Sequence, residues 1–371
     1  MKKAIRLFGV LVGVVAATVA AAAPGQASEG FHAVFVQTND SEGNGIAVYR
    51  RSADGTLTYA STYATGGLGG RATGSGSDPL ASQGSLVLVP DQEVLLAVNA
   101  GSNTISVFEV NGDQLRLQQV LPSGGQFPVG FAVRGNLVYV LNAGGQGSVS
   151  GYRLGEGKVH PIGGSTRTLG LGNTTPPFFL KSPAQVGFTP DGDHLIVTTK
   201  TLNTVHVFSV GDGGRLSAEP TVNAAAGVPF AFLFDRAGRL VLNFAANSSL
   251  QTFTVNADNT ITAVTSAAGD GQAAACWLTL ARGFDYASNT GSGSLSQFRI
   301  KADGTPVLVN GTAATGIPGA VDSAVAGHFL YVQSGMSASV HAFRVAGDGS
   351  LTRIQIASVP DGDDQEGMAA S

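Results

Sequence analysis

Ten polar side chains stand out because their places in a repeating pattern bring them toward one face of the molecule. Arg71, Asp78, Arg167 and Lys181 fall in two long connections; Ser85, Gln185, Cys276, Asp322 and Glu366 fall near the starts of strand-like segments, and Lys200 directly follows one. Carboxyls such as Asp322 and Glu366 can take or give a proton, and Lys or Arg can hold an anion. As a group at one mouth, Arg71, Asp78, Lys181, Gln185, Lys200, Cys276, Asp322 and Glu366 form the ligand-binding candidates. Taken singly, each is equally at home on a solvated rim. Cys276, in AACWL (274–278), is read first as a small buried apolar residue, and Trp277, the only tryptophan, as packing.

Familiar catalytic patterns are absent. No serine has glycine two residues before and two after it, so there is no nucleophile elbow. No His-Glu-x-x-His pattern occurs, and His32, His160, His194, His206, His328 and His341 all fall on outer segments or their turns rather than at the mouth. The acidic run Asp361 to Glu366 lacks the spacing of a calcium loop and reads as a solvated turn. No metal or cofactor is expected.

The elements that must position these residues come from a repeat. Tyr49, Phe108, Tyr152, Phe208, Phe253, Phe298 and Phe343 follow one another at steps of 59, 44, 56, 45, 45 and 45 residues, in segments such as NTISVF (103–108) and NTVHVF (203–208). A period in the mid-forties holds four short strands and their turns, one blade of a propeller. The second unit supplies the template: LVLVPD (86–91), VLLAVN (94–99), NTISVFEV (103–110) and QLRLQQVL (114–121). The fourth repeats it with VGFTPD (186–191), HLIVTT (194–199), NTVHVFSV (203–210) and RLSAEP (215–220). Asp54-Gly55, Asp303-Gly304 and Asp348-Gly349 mark turns between third and fourth strands and suggest tight hairpins with both residues at positive φ. The recurring aromatic is expected to pack between blades.

The fold class is therefore all-β, a seven-bladed β-propeller with four antiparallel strands per blade. The first unit begins at FHAVFVQTN (31–39), which matches a second strand, and the tail EGMAAS (366–371) is left over, so the tail is expected to supply the innermost strand of the first blade and close the ring. The two long steps place extra residues in connections 64–85 and 163–185, which should flank the channel mouth around the second unit; loops of that length are often functional.

Residues 1–27 read as an export signal, with Lys2, Lys3 and Arg6 ahead of the uncharged stretch Leu7 to Ala20 and a cut after Ala27. Residues 28–371 then form a single propeller domain in a secreted, extracytoplasmic protein. Its loss leaves 18 Lys and Arg against 25 Asp and Glu, a net charge of −7, which argues against a nucleic-acid partner. No second long apolar run follows, so no membrane association is expected. With one cysteine there is no internal disulfide, and a monomer held by buried area and ring closure is expected. Glycine is abundant, 52 of 371 residues, and charged residues make up only 12%, a balance that suits short strands and turns.

The units SQGSLVLVPDQEVLLAVNAGSNTISVFEV (82–110), LVYVLNAGGQGSVSGYRL (137–154), SPAQVGFTPDGDHLIVTTKTLNTVHVF (182–208) and AACWLTL (274–280) resemble the seven-bladed β-propeller lactonase family, which includes 6-phosphogluconolactonase and 3-carboxymuconate cyclase-like enzymes. The resemblance covers the mature chain and implies formation or opening of a lactone ring at the channel mouth, by histidine, acidic and arginine side chains. Where catalytic relatives carry a histidine this chain reads Ser182-Pro183-Ala184-Gln185, and where they carry an aspartate it reads Thr199-Lys200. Two readings follow. The protein binds a small acidic or sugar-like ligand, or an exported partner protein, at the mouth; or it is a lactone hydrolase or lactonising enzyme in which Asp322 or Glu366 acts as base and Lys181, Lys200 or Arg71 holds the oxyanion.

Overall fold

The computed structural model describes residues 32–371; the expected export signal lies outside the described residues. Among the described residues seven antiparallel sheets form the ring, six of them built around four consecutive strands and the first around three plus the tail. In blade 2 these are Leu86–Val89, Val94–Asn99, Thr104–Asn111 and Gln114–Pro122, and the other blades repeat the order. Blade 1 begins with its second strand, His32–Gln37, and Met368–Ala370 pairs antiparallel with it as the innermost strand. The tail approaches so closely that a Cβ on Gly367, whose φ is +78°, would sit 2.2 Å from Ser85 Oγ of blade 2. Only glycine fits there. Among the described residues no helix is long and apolar enough to cross a membrane.

All seven recurring aromatics lie on third strands and are buried. They fill the gaps between blades, and the tyrosines also use their hydroxyls: Tyr49 donates to Ser358 O of blade 7 and Tyr152 to Pro122 O of blade 2, both at 2.6 Å. The asparagines that open NTISVF and NTVHVF have a separate task. Asn103 and Asn203 take left-handed φ of 57° and 53°, and their side-chain oxygens accept from Phe127 N and from Gly227 N and Val228 N of the following blade. Each turn is thereby tied to its neighbour.

Two sequence expectations need correction. At the Asp-Gly turns only the glycines have positive φ, and each Asp oxygen instead accepts from the backbone N–H two residues on, as Asp54 does from Thr56. The fourth strand of blade 4 is Thr221–Ala224, not residues 215–220, because a turn at Asp212–Gly214 leaves only an isolated bridge between Val210 and Leu216, and Pro220 has no N–H to extend the ladder.

One irregularity prepares the site. The innermost strands of blades 3 to 7 each carry a register shift against the second strand, between Pro128 and Gly130, Pro183 and Gln185, Pro229 and Phe232, Ala275 and Trp277, and Ala320 and Ser323. Each bulge inserts one extra residue at the mouth end of the strand, where it is free of the ladder. Ala184, Phe230, Cys276 and Asp322 all fall within these bulges.

Candidate functional site

Connection 64–85 crosses the mouth rather than skirting blade 2. Its end, Asp78 to Ser82, is buried and touches most of the ring. Ser82 Oγ donates to Val129 O of blade 3, Gln83 N to Ala184 O of blade 4, and Trp277 Nε1 of blade 6 to Ser82 O at 3.0 Å. Gln83 also brackets Leu278 of blade 6, donating to its O and accepting from its N. A Cβ on Gly335 of blade 7 would lie 1.9 Å from Ser77 O. Leu80 N donates to Glu366 Oε2 in the tail at 3.2 Å.

Around this plug five sequence candidates converge: Asp78 from the connection, Lys200 from blade 4, Cys276 from blade 6, Asp322 from blade 7 and Glu366 from the tail. Asp78, Lys200, Asp322 and Glu366 are buried, and Cys276 is half-buried. Lys200 Nζ donates to Ala81 O at 2.5 Å and Pro183 O at 3.1 Å, and lies 5.4 Å from the centre of the Phe230 ring. Burial pulls its amine down to about 7, against the opposing charges of Asp78, Cys276 and Glu366. Burial pushes the Asp322 carboxyl up to about 7 and the Cys276 thiol up to about 12. Asp78 and Glu366 are both pushed above the usual carboxylate range by burial, with Glu366 raised further by the Asp78 charge. Toward acidic pH the pair therefore keeps a proton that isolated carboxyls would release. Asp78 Oδ1 accepts from Ala81 N at 2.8 Å, which fixes its orientation.

Beside this cluster lies a cleft of about 340 Å³ over blades 4, 5 and 6. Ser77, Asp78, Lys200, Cys276 and Thr290 are the functional groups on its wall, and Phe179, Phe230 and Trp277 supply the aromatic surface. Phe230 and Trp277 pack with ring centres 4.8 Å apart. The second long connection, 163–185, contributes Phe179 and Leu180 and meets the first in a parallel bridge between Thr73 and Phe178. The two connections thus meet beside this cleft, and the first also lies against blade 2, where Gly101 N donates to Leu68 O and Leu68 N to Ser102 Oγ. In blade 5 the bulge faces Asn243, whose amide atoms are buried without any protein partner.

The remaining candidates do other work. Gln185 brackets the backbone of Phe232, donating to its O at 3.1 Å and accepting from its N at 2.7 Å, so its amide joins blade 4 to blade 5. Arg71 pairs with Asp364 and donates to Gly76 O at 2.7 Å, which ties the connection to the tail outside the cleft. Lys181 is exposed and does not line the cleft. Arg167 donates to Ser217 O and Leu216 O, and Ser85 Oγ is buried with no partner beneath the tail. Phe179, Phe230 and Thr290 were not singled out by the sequence; the register shift that displays Phe230 cannot be read from apolar alternation alone. Among the described residues no group of three or more His, Cys, Asp or Glu is arranged to hold a metal ion.

A family model, the seven-bladed β-propeller lactonase, matches residues 42–168, 172–260 and 250–362. The chain belongs to that family. This lactonase-family propeller also shares its fold with solved structures of low identity. A Lactobacillus plantarum protein is 19% identical with a TM-score of 0.71, covering 92% of this chain and 99% of its own. The periplasmic gluconolactonase of Pseudomonas aeruginosa is 18% identical with a TM-score of 0.67, covering 91% and 98%. A Desulfotomaculum acetoxidans protein described as functionally unknown is 14% identical with a TM-score of 0.67, covering 92% and 98%. No curated protein matches the lactonase-family chain in sequence.

Proposed function

We propose that this propeller binds a small, largely apolar molecule bearing one acidic group, in the cleft over blades 4 to 6, with Lys200 as its counter-ion. The observation that carries this reading is the single amine on a wall that is mostly apolar and aromatic, with Ser77, Asp78, Cys276 and Thr290 as its other polar groups. Its volume is at the small end of the range of about 300–1,000 Å³ usual for such sites. A sugar needs a polar partner for most of its hydroxyls, and the cleft wall has few to offer. The acidic half of the sequence reading is therefore favoured over the sugar-like half. Lys200 uses two of its three donor positions on Ala81 O and Pro183 O, which leaves one for a ligand oxygen. Calorimetric titration of the mature protein with phenylacetate, gluconate and glucono-δ-lactone tests this. Phenylacetate should bind, and Lys200→Met should weaken it at least about tenfold by removing a buried charge pair. Binding of gluconate but not phenylacetate would overturn the reading.

A second reading, lactone hydrolysis, is favoured by one observation, the two buried carboxyls of Asp78 and Glu366 near Lys200, both pushed above the usual carboxylate range. Water adds to the lactone carbonyl as the carboxyl pair takes one of its protons, Lys200 stabilises the oxyanion, the ring C–O bond breaks and the pair returns that proton to the ring oxygen. The gluconolactonase name of the Pseudomonas neighbour supplies the first substrate class to try. Proton release above the buffer rate, lost in Glu366→Gln, is the expected result; no release from any lactone tried sinks this reading and leaves the first intact. Both readings place the protein outside the cytoplasm on the strength of residues 1–27, and a secreted product whose amino terminus is not Ser28 counts against that cleavage.

A further inference from the structure

We propose that Lys200 is a nucleophilic amine that forms a reversible imine with a small apolar aldehyde or ketone entering the cleft. This rests on the cleft admitting such a molecule and not on that molecule being an acid. Three features of the geometry converge. Lys200 is buried on the cleft wall, and none of the ion pairs among the described residues involves it. Its only hydrogen-bond partners are two backbone carbonyls, which accept both protons of the neutral amine and leave its lone pair pointing away from them. The wall also carries the buried carboxyl of Asp78, and Asp78 and Glu366 are both pushed above the usual carboxylate range by burial, so a carboxylic acid stands next to the amine.

The chemistry balances within these groups. The lone pair of Nζ attacks the carbonyl carbon, and a proton from nitrogen passes to the oxygen to give the carbinolamine. The Asp78–Glu366 pair then protonates the hydroxyl, which leaves as water while the C=N bond forms. The second nitrogen proton returns to the pair. The net change is amine plus carbonyl to imine plus water, with no oxidant or reductant. Desolvation in an apolar pocket is one of the known ways to make a lysine nucleophilic near neutral pH. The amine lies near pH 7, so it is charged and anion-binding on the acid side and nucleophilic on the other. Cys276 on the same wall is a poor competitor, because its thiol is pushed up to about 12 and the thiolate is the reactive form.

The chain provides its own controls, since Lys158, Lys181 and Lys301 are exposed. The mature protein is incubated with benzaldehyde and sodium cyanoborohydride, which reduces an imine to a stable benzylamine, and the modified lysines are mapped by mass spectrometry. At neutral pH Lys200 should be labelled at least about tenfold faster than each exposed lysine. Its rate should rise with pH and level off about one unit above 7. Lys181→Arg, exposed and outside the cleft, should keep this labelling, and Lys200→Arg, which preserves the positive charge, should leave only the slow exposed sites. Labelling of Lys200 no faster than the others, in protein with an unchanged melting temperature, overturns the proposal. Benzoate titrated into the same preparation separates the two ideas: benzoate binding without fast labelling removes the imine and leaves the acid-binding reading, and fast labelling without benzoate binding does the reverse.

Discussion

The two long connections, 64–85 and 163–185, are of similar length and both rich in glycine, but they end in opposite situations. The first buries Asp78 to Ser82 across the mouth, where its backbone and side chains reach blades 3, 4 and 6 and the tail. The second turns back on itself: Asn173 Oδ1 accepts from Thr174 N and Phe178 N, Asn173 Nδ2 donates to Phe178 O, and Phe178 remains 38% exposed. The difference lies in which groups need outside partners. Leu80 and Ala81 must leave water and the carboxyl of Asp78 must find donors, whereas the Asn173 to Phe178 segment meets part of its polar demand through the Asn173 side chain and the rest at the rim, where Asn173 N donates to Gly145 O and Thr73 N to Pro177 O. The first connection is drawn into the core by groups that find their partners there, and the second stays at the rim with Phe178 partly exposed.

The contrast should show first in stability. Removing residues 366–371 takes away the innermost strand of blade 1 and the carboxyl that Leu80 N binds, and should produce the largest loss, read as a sharply lowered melting temperature. Leu80→Asp puts another carboxyl beside Asp78 and Glu366 at a fully buried position, and should cost more than about 4 kcal/mol in urea denaturation. An unchanged midpoint would mean that the connection is not a plug.

A smaller effect is expected in pH dependence. Asp322 is raised above its unfolded value to about 7, so the unfolded chain releases this proton first. The stability that Asp322 contributes is fully present below about pH 4 and falls by about 1.4 kcal/mol per unit at most until about pH 7. Asp322→Asn has no such proton, so the melting temperature of the wild type should decline relative to that variant across this window. Parallel curves would show that Asp322 titrates normally. The smallest effect belongs to the rim: Phe178→Ser should change stability by no more than about 0.5 kcal/mol, and a larger loss would erase the distinction between the connections.

The scaffold was legible because its signals are local and repeated. Seven aromatics at one strand position, asparagine at each NT turn and the unmatched tail all report on short-range geometry that recurs from blade to blade. The candidate site was legible in part. Asp78, Lys200, Cys276, Asp322 and Glu366 are polar or unusual residues at mouth positions, and they do meet. That Gln185 spends its amide on Phe232, and Arg71 its charge on Asp364, depends on contacts 47 and 293 residues away in the chain, which no local pattern encodes. The path of 64–85 was missed for the same reason. Its direction is set by partners on other blades and not by its own glycines.

The bulges in the innermost strands have a consequence for how such a protein can change. An extra residue that makes no ladder bonds can be exchanged without unzipping the sheet behind it, so the mouth behaves like a set of interchangeable sockets on a fixed frame. Ala184, Cys276 and Asp322 are three such sockets, filled here by a methyl group, a thiol and a carboxyl. A single substitution at one of them alters the reactive inventory of the mouth while the blades keep their register, which allows one ring to carry different chemistries with little change in the rest of the chain.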